Sequence, residues 1–221
     1  MVKDNNKKII LHLCANTLVG SDSHYYNLDD DYEVIHIGEE VGVENYHPPE
    51  NVYGVLANPV CTEFSTVAGF DKDFDLESGM VIVNHCFRII LEAQASSKSF
   101  KFWSMENPAR GKLKSVIGKP TYIYQPWWFL GSPWTKETAL WGVFNKPKRD
   151  FDNIEDVKQI TELWIRPGRK IACLTYLHKS AVKYMPAYDW CKDVILAEKS
   201  DNGIRSMCSD GFARSFYLAN K

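Results

Sequence analysis

Two short stretches of this chain end an apolar run on a side chain able to do chemistry, with a proline close by. In ANPVCTEFS, residues 57–65, that side chain is Cys61; in KFWSMENP, residues 101–108, it is Glu106. Cys61 stands at a strand-to-loop junction, flanked by Asn58 and Pro59 on one side and by Thr62, Glu63 and Ser65 on the other. A thiol in such a place meets both solvent and substrate, and its thiolate form is a nucleophile. Cysteine is also among the most buried residue types, so taken alone Cys61 reads more readily as a structural thiol, and only its context points to reactivity. Glu106, in isolation a solvated loop charge, here closes an apolar run and precedes Asn107-Pro108. A carboxyl in that partly apolar position keeps its proton to higher pH and can donate it. Arg110 and Lys112 follow directly and read equally as phosphate holders or as ordinary surface charges.

Four elements must position these residues. Ile9 to Leu13, Val34 to Ile37, Val52 to Leu56 and Phe100 to Met105 are short apolar runs bounded by polar or turn residues, the pattern of buried strands. Between the third and fourth, ESGMVIVNHCFRIILEAQASS places Val81, Val83, Cys86, Phe87, Ile90, Leu91 and Ala95 at helical steps, so Cys86 is expected in the core. The alternation predicts an α/β fold, a Rossmann-like, mostly parallel sheet with helices on both faces. In such sheets ligands bind at the carboxyl ends of the strands, where Cys61 and Glu106 fall. The terminal SDGFARSFYLANK carries Phe212, Ala213, Phe216 and Tyr217 on one side of a short amphipathic helix.

A length of 221 residues suits one domain, and 26 basic against 28 acidic side chains announce no duplex-binding surface. The six cysteines form no CxxC pair and no zinc-ligand spacing, so no metal centre is expected. The apolar stretch near the N-terminus is too short for a signal peptide or a membrane span. The expected setting is a reduced, soluble cytoplasmic one, the host-cell cytoplasm if the protein is phage-encoded.

Together these motifs resemble the cytosine-C5 DNA methyltransferase family, and more closely its compact phage-type members. ANPVCTEFSTVAG resembles the nucleophile loop and MENPARGKL the Glu-Asn strand end; GSPWTKETALWG and GFARSFYLAN are similar to later segments of the same group. The resemblance spans most of Ile9 to Gly142 and the last dozen residues. It implies a class I methyltransferase-type sheet binding S-adenosylmethionine beside a cytosine of DNA or of a nucleotide. Cys61 would add to C6, and Glu106 would assist at N3 while the methyl group goes to C5. The resemblance further assigns Cys14, Ala15, Asn16, Thr17, Gly20, Glu39, Asn58 and Pro59 to the cofactor, and Ser65, Asn107, Arg110, Lys136 and Thr138 to the substrate.

The first loop, LCANTLVGSD, offers only Gly20 where glycines are expected, Gly38 stands where an acid is expected with Glu39 adjacent, and Val60 replaces a proline before the nucleophile. The second reading is therefore a cofactor-degenerate protein that binds a nucleotide or a protein partner without catalysis. Residues 145–201 form a short variable insertion in place of a full target-recognition region. In it Arg166, Arg169 and Lys170 suit a backbone-binding element, although a strand pair joined by an RPGR turn accounts for them as well. A third, weaker reading takes Tyr122 to Trp134 as a stacking platform for single-stranded nucleic acid.

Overall fold

The computed structural model describes residues 7–15, 21–65, 73–132, 134–160 and 207–221. Six strands, β1 (Lys8–Leu13), β2 (Tyr32–Ile37), β3 (Val52–Ala57), β4 (Phe102–Pro108), β5 (Tyr122–Tyr124) and β6 (Thr138–Val143), form one sheet in the order β2-β1-β3-β4-β6-β5. The first four are parallel; β6 runs against both β4 and β5. Helices α1 (His24–Leu28), α2 (Leu76–Ser96), α3 (Leu113–Ile117), α4 (Ile154–Ile160) and α5 (Asp210–Asn220), with a 3-10 turn at Pro126–Trp128, complete the described elements.

The central strands are continuous apolar runs because both of their faces are covered. On one face Leu11, Leu13, Val55, Ala57 and Met105 pack against Val83, Cys86, Ile89, Ile90 and Ala93 of α2. On the other, Ile10, Leu56, Phe102 and Leu140 meet Tyr26 of α1 and Phe212 and Phe216 of α5. Helix α2 starts where the Asp75 carboxylate accepts the Ser78 amide at 3.0 Å, and Ser97 ends it by donating its hydroxyl to the Val52 carbonyl at 2.7 Å.

Three expectations need correction. The buried stripe of α2 is narrower than the sequence pattern suggests: Val81 and Leu91 are 48% and 63% exposed and Ala95 is also exposed, while Ile89 and Ala93 are buried. A helix on one side of a sheet buries only the arc that faces it, and apolar residues beyond that arc stay in water. Strand β4 begins at Phe102 rather than Phe100 and continues past Met105 to Pro108, because β6 pairs with it to its end. The aromatic segment is largely packing material. Tyr124 lies flat on Phe212 at 3.9 Å between ring centres, and Phe129 and Trp134 are buried. Trp127 and Trp128 are half-buried, and Arg149 covers the Trp128 ring at 3.3 Å.

Candidate functional site

A notch in the sheet makes the site. The β3–β4 ladder ends at Ala57 opposite Met105, whereas β4–β6 pairing continues through Glu106, Asn107 and Pro108. Beyond Met105, β4 therefore has a strand on one side only, and Asn58 and Pro59 occupy the other. The fully buried Asn107 donates its side-chain amide to the Pro59 carbonyl at 3.1 Å, tethering the start of the Cys61 loop to β4. Strand alternation sends Glu106 to the opposite face from Asn107, the face covered by α1 and α5. Strand β1 lies between β2 and β3, so the chain reverses direction across the sheet here, the place where open α/β sheets form ligand crevices.

A buried polar network bridges that switch point. His12 Nε2 lies 2.9 Å from both Asn58 Oδ1 and Asp22 Oδ1, and Ser23 Oγ is 2.8 Å from His12 Nδ1. Burial pushes the Asp22 carboxyl up, but the charge and hydrogen bond of His12 outweigh it and hold Asp22 below the usual carboxylate range. Glu106 goes the other way. Burial raises it, and the Asp22 carboxylate adds to the rise, against the opposing pull of Lys136 and a hydrogen bond from Asn58. Lys136 Nζ stands 3.7 Å from Glu106 Oε1, too far for a direct hydrogen bond, and Oε1 is buried without a partner.

Phe64 anchors the Cys61 loop. It is fully buried, its carbonyl accepts the Lys112 amide at 2.8 Å, and the Cys61 carbonyl accepts the amides of Phe64 and Ser65 at 2.9 and 2.8 Å. Two glycines admit it: a Cβ on Gly79 would lie 2.9 Å from the Phe64 ring, and one on Gly111 the same distance from its carbonyl oxygen. Cys61 is half-buried and in no disulfide, while Val60 beside it is 60% exposed.

The remaining sequence-assigned residues scatter more widely. Cys14 ends β1 with φ at +60°, a left-handed backbone that costs a non-glycine residue about 1–2 kcal/mol, and its thiol sits 3.7 Å from Cys86 in the core. Its side chain thus faces α2 and only its backbone borders the loop that follows. Cys14→Gly is expected to fall within about 1 kcal/mol of wild type in urea unfolding, since backbone relief offsets the lost thiol contacts, whereas Cys14→Val should lose about 2 kcal/mol. Ala15 is nearly buried, and Glu39 is exposed in the turn after β2. Arg110 pairs with Glu137 at 2.6 Å on the surface. Lys136 and the buried Thr138 flank the cleft at the start of β6. Asn16, Thr17, Gly20, Arg166, Arg169 and Lys170, and most of the 145–201 insertion, lie outside the described residues.

Sequence reasoning missed His12, Asp22, Cys208 and Tyr124. The last two have thiol and phenol pKa values raised by burial and by the nearby Asp22 and Glu106 carboxyls. His12 left one trace, a polar residue inside the apolar run KIILHL. Asp22 left none, because its partners come from other strands.

No family model and no curated protein matches this chain.

Next to the network, His36 of β2 has both ring nitrogens buried and unpartnered, with its ring centre 5.0 Å from that of His12. Burial, and then the neighbouring His12, depress its pKa from 6.5 to about 4. The unfolded chain takes up this proton near pH 6.5 and the folded chain only near pH 4, so stability present above pH 6.5 is lost as pH falls through that window. Urea unfolding at pH 7 and pH 4.5 should show a loss on the order of 2–3 kcal/mol relative to His36→Leu. Taking the difference between the two proteins cancels Glu106, whose raised pKa acts in the opposite sense.

Proposed function

We propose that this cleft acts on a cytosine ring, as a cytosine-C5 methyltransferase of compact, Rossmann-like build. The observation that carries the reading is Glu106, a carboxyl held above its usual range at a sheet notch, with Oε1 buried, without a hydrogen bond and 3.7 Å from Lys136 Nζ. A neutral carboxyl offers one O–H donor and one carbonyl acceptor, the complement of the N3 acceptor and 4-amino donor of cytosine. Cys61, on the loop that Asn107 ties to the same strand, is the nucleophile. Its thiolate adds to C6 while Glu106 supplies a proton to N3, so that negative charge does not accumulate on the ring and C5 becomes nucleophilic. Loss of the C5 proton to water, return of the N3 proton to the Glu106 carboxylate and departure of the thiolate restore the aromatic ring. Lys136 balances charge at the Glu106 carboxyl.

The ends of β1 and β2 fit an adenosyl cofactor: Cys14 takes the left-handed turn that a glycine usually supplies, Ala15 is small, and the exposed Glu39 carboxylate suits a ribose diol. S-adenosylmethionine, when bound, supplies the methyl group as an electrophile. The partner is then DNA or a cytosine-containing nucleotide. No described helix is long and apolar enough to cross a membrane.

The second reading, capture of a nucleotide or a protein without catalysis, draws support from the network over β1: Ser21, Asp22, Ser23 and His12 are buried and already hydrogen-bonded to one another. Two measurements separate the readings, calorimetry with S-adenosylmethionine and its demethylated product, and transfer of labelled methyl to double-stranded DNA, single-stranded DNA and deoxycytidine nucleotides. The expected result is cofactor binding and transfer to at least one substrate. Folded protein silent in both at millimolar cofactor would overturn the enzyme and leave the binder.

A further inference from the structure

We propose that residues 145–151 form a strap that binds the phosphate backbone of single-stranded DNA and leads it to the Glu106 cleft. The inference rests on the cytosine-directed reading of that cleft and deepens it: the base is presented by an unpaired strand rather than by a free nucleotide.

The backbone of the strap is pinned along its length. The Asn145 amide donates to Asn220 Oδ1 at 2.8 Å, and the Asn145 carbonyl accepts Asn220 Nδ2 at 3.0 Å, at the end of α5. Ser215, earlier in that helix, donates its hydroxyl to the Lys148 carbonyl at 2.6 Å. The amides of Asp150 and Phe151 then meet the Trp128 carbonyl at 2.9 and 3.1 Å, and Pro147 is buried. The strap thus runs antiparallel to α5, from the end of β6 to the Trp128 turn, on a path set before any ligand arrives.

What the strap leaves outside is positive charge. Lys146, Lys148 and Arg149 are exposed, three cations in four residues of a chain whose net charge is -2. Among the described residues none of the three is in a salt bridge. The Arg149 guanidinium lies over the Trp128 ring at 3.3 Å. A guanidinium stacked in this way still offers its in-plane N–H groups to phosphate oxygens, and an unpaired base can stack on its outer face. The aromatic segment is the bed for this group rather than the stacking surface itself. The adjacent Asp150 carboxylate caps the turn, accepting the Leu130 amide at 2.9 Å.

Contacts connect the end of the strap to the cleft. The Trp128 amide donates to the Gln125 carbonyl at 3.0 Å, Gln125 Oε1 accepts the Lys136 amide at 2.9 Å, and Lys136 Nζ stands 3.7 Å from Glu106 Oε1. Strand β5, which leads into that turn, runs parallel to β4 because both oppose β6, so Trp128 follows β5 at the end of the sheet where Glu106 lies. Chemistry at C6 needs the base out of its stack, which costs least when the strand is already unpaired.

The test is fluorescence anisotropy of a short, labelled, cytosine-containing single strand over a salt series, with the full chain and no cofactor. Replacing Lys146, Lys148 and Arg149 together by Gln should weaken binding about tenfold or more at low salt. It should also flatten the log-log salt slope by about 2, the value for three phosphates at about 0.7 each. Arg149→Lys should keep the slope yet weaken binding about threefold, because an ammonium lacks the stacked plane. Duplex DNA and polyglutamate of equal charge should bind less tightly than the single strand. No binding by wild type, or an unchanged slope in the folded triple variant, would overturn the strap. Arg149→Lys as tight as wild type, or equal affinity for duplex or polyglutamate, would overturn the assignment to single strands. Should the triple variant fail to fold, Lys146→Gln with Lys148→Gln decides, with a slope shallower by about 1.4. Binding is read without turnover, so strap-dependent capture in a protein that transfers no methyl keeps the strap and removes the enzyme. Transfer to single strands that the triple variant performs as well as wild type keeps the enzyme and removes the strap.

Discussion

Cys61→Ser is expected to abolish methyl transfer, by on the order of 10⁴-fold or more, because a serine hydroxyl is barely ionised near neutral pH and no other group can form the bond to C6. The change removes little volume. The Cys61 loop is held by its backbone and by Phe64, whose carbonyl meets the Lys112 amide, so the variant should unfold within about 1 kcal/mol of wild type and still bind nucleotide. Thiol labelling at pH 7 adds an independent reading. A catalytic Cys61 should alkylate well ahead of Cys86, which is fully buried and whose thiol pKa is raised by its hydrogen bond with Cys14 and by burial. Residual transfer of a tenth or more in Cys61→Ser would remove Cys61 from the mechanism.

Glu106→Gln is expected to lower transfer by about 10²–10⁴-fold, the usual worth of a positioned general acid, and to stabilise the fold at the same time. The sign of the second effect follows from the direction of the shift. The unfolded chain releases this proton near the ordinary value of 4.5, while the folded carboxyl holds it to higher pH, so the native state binds more protons between the two values. Stability is lost as pH rises through that window. Glutamine carries no such charge, so the variant should be more stable than wild type at neutral pH and little changed below pH 4.5. Activity that needs the acid form should fall as pH rises through the folded value. Paired urea-unfolding and rate profiles measure both effects. A Glu106→Gln protein that is fully active, or less stable than wild type at neutral pH, would show that the carboxyl is structural.

These effects depend on geometry that the sequence discloses unevenly. Apolar runs with turn residues at their ends were enough to locate β1, β2, β3 and the terminal amphipathic helix, and to assign Cys86 to the core, because burial on both sides of a central strand imposes a pattern within a few consecutive residues. The same local patterns marked Cys61 and Glu106 as polar groups ending apolar runs. Sequence did not place the end of β4, since Glu106 and Asn107 join the strand only through pairing with β6, more than thirty residues away. Nor did it narrow the stripe of α2, because the arc a helix buries depends on the sheet beneath it. The charge states around Glu106 were still less legible. Asn58 follows β3, Asp22 comes from the segment after β1 and Lys136 from the one ahead of β6, and their influence on one carboxyl depends on distances that arise only when β1, β3, β4 and β6 lie side by side. Sequence determined which side chains could do chemistry, because that is a property of each residue and its neighbours along the chain. Tertiary structure alone decided which carboxyl is held ionised and which is raised, because burial and Coulomb interaction depend on separation in space rather than along the chain.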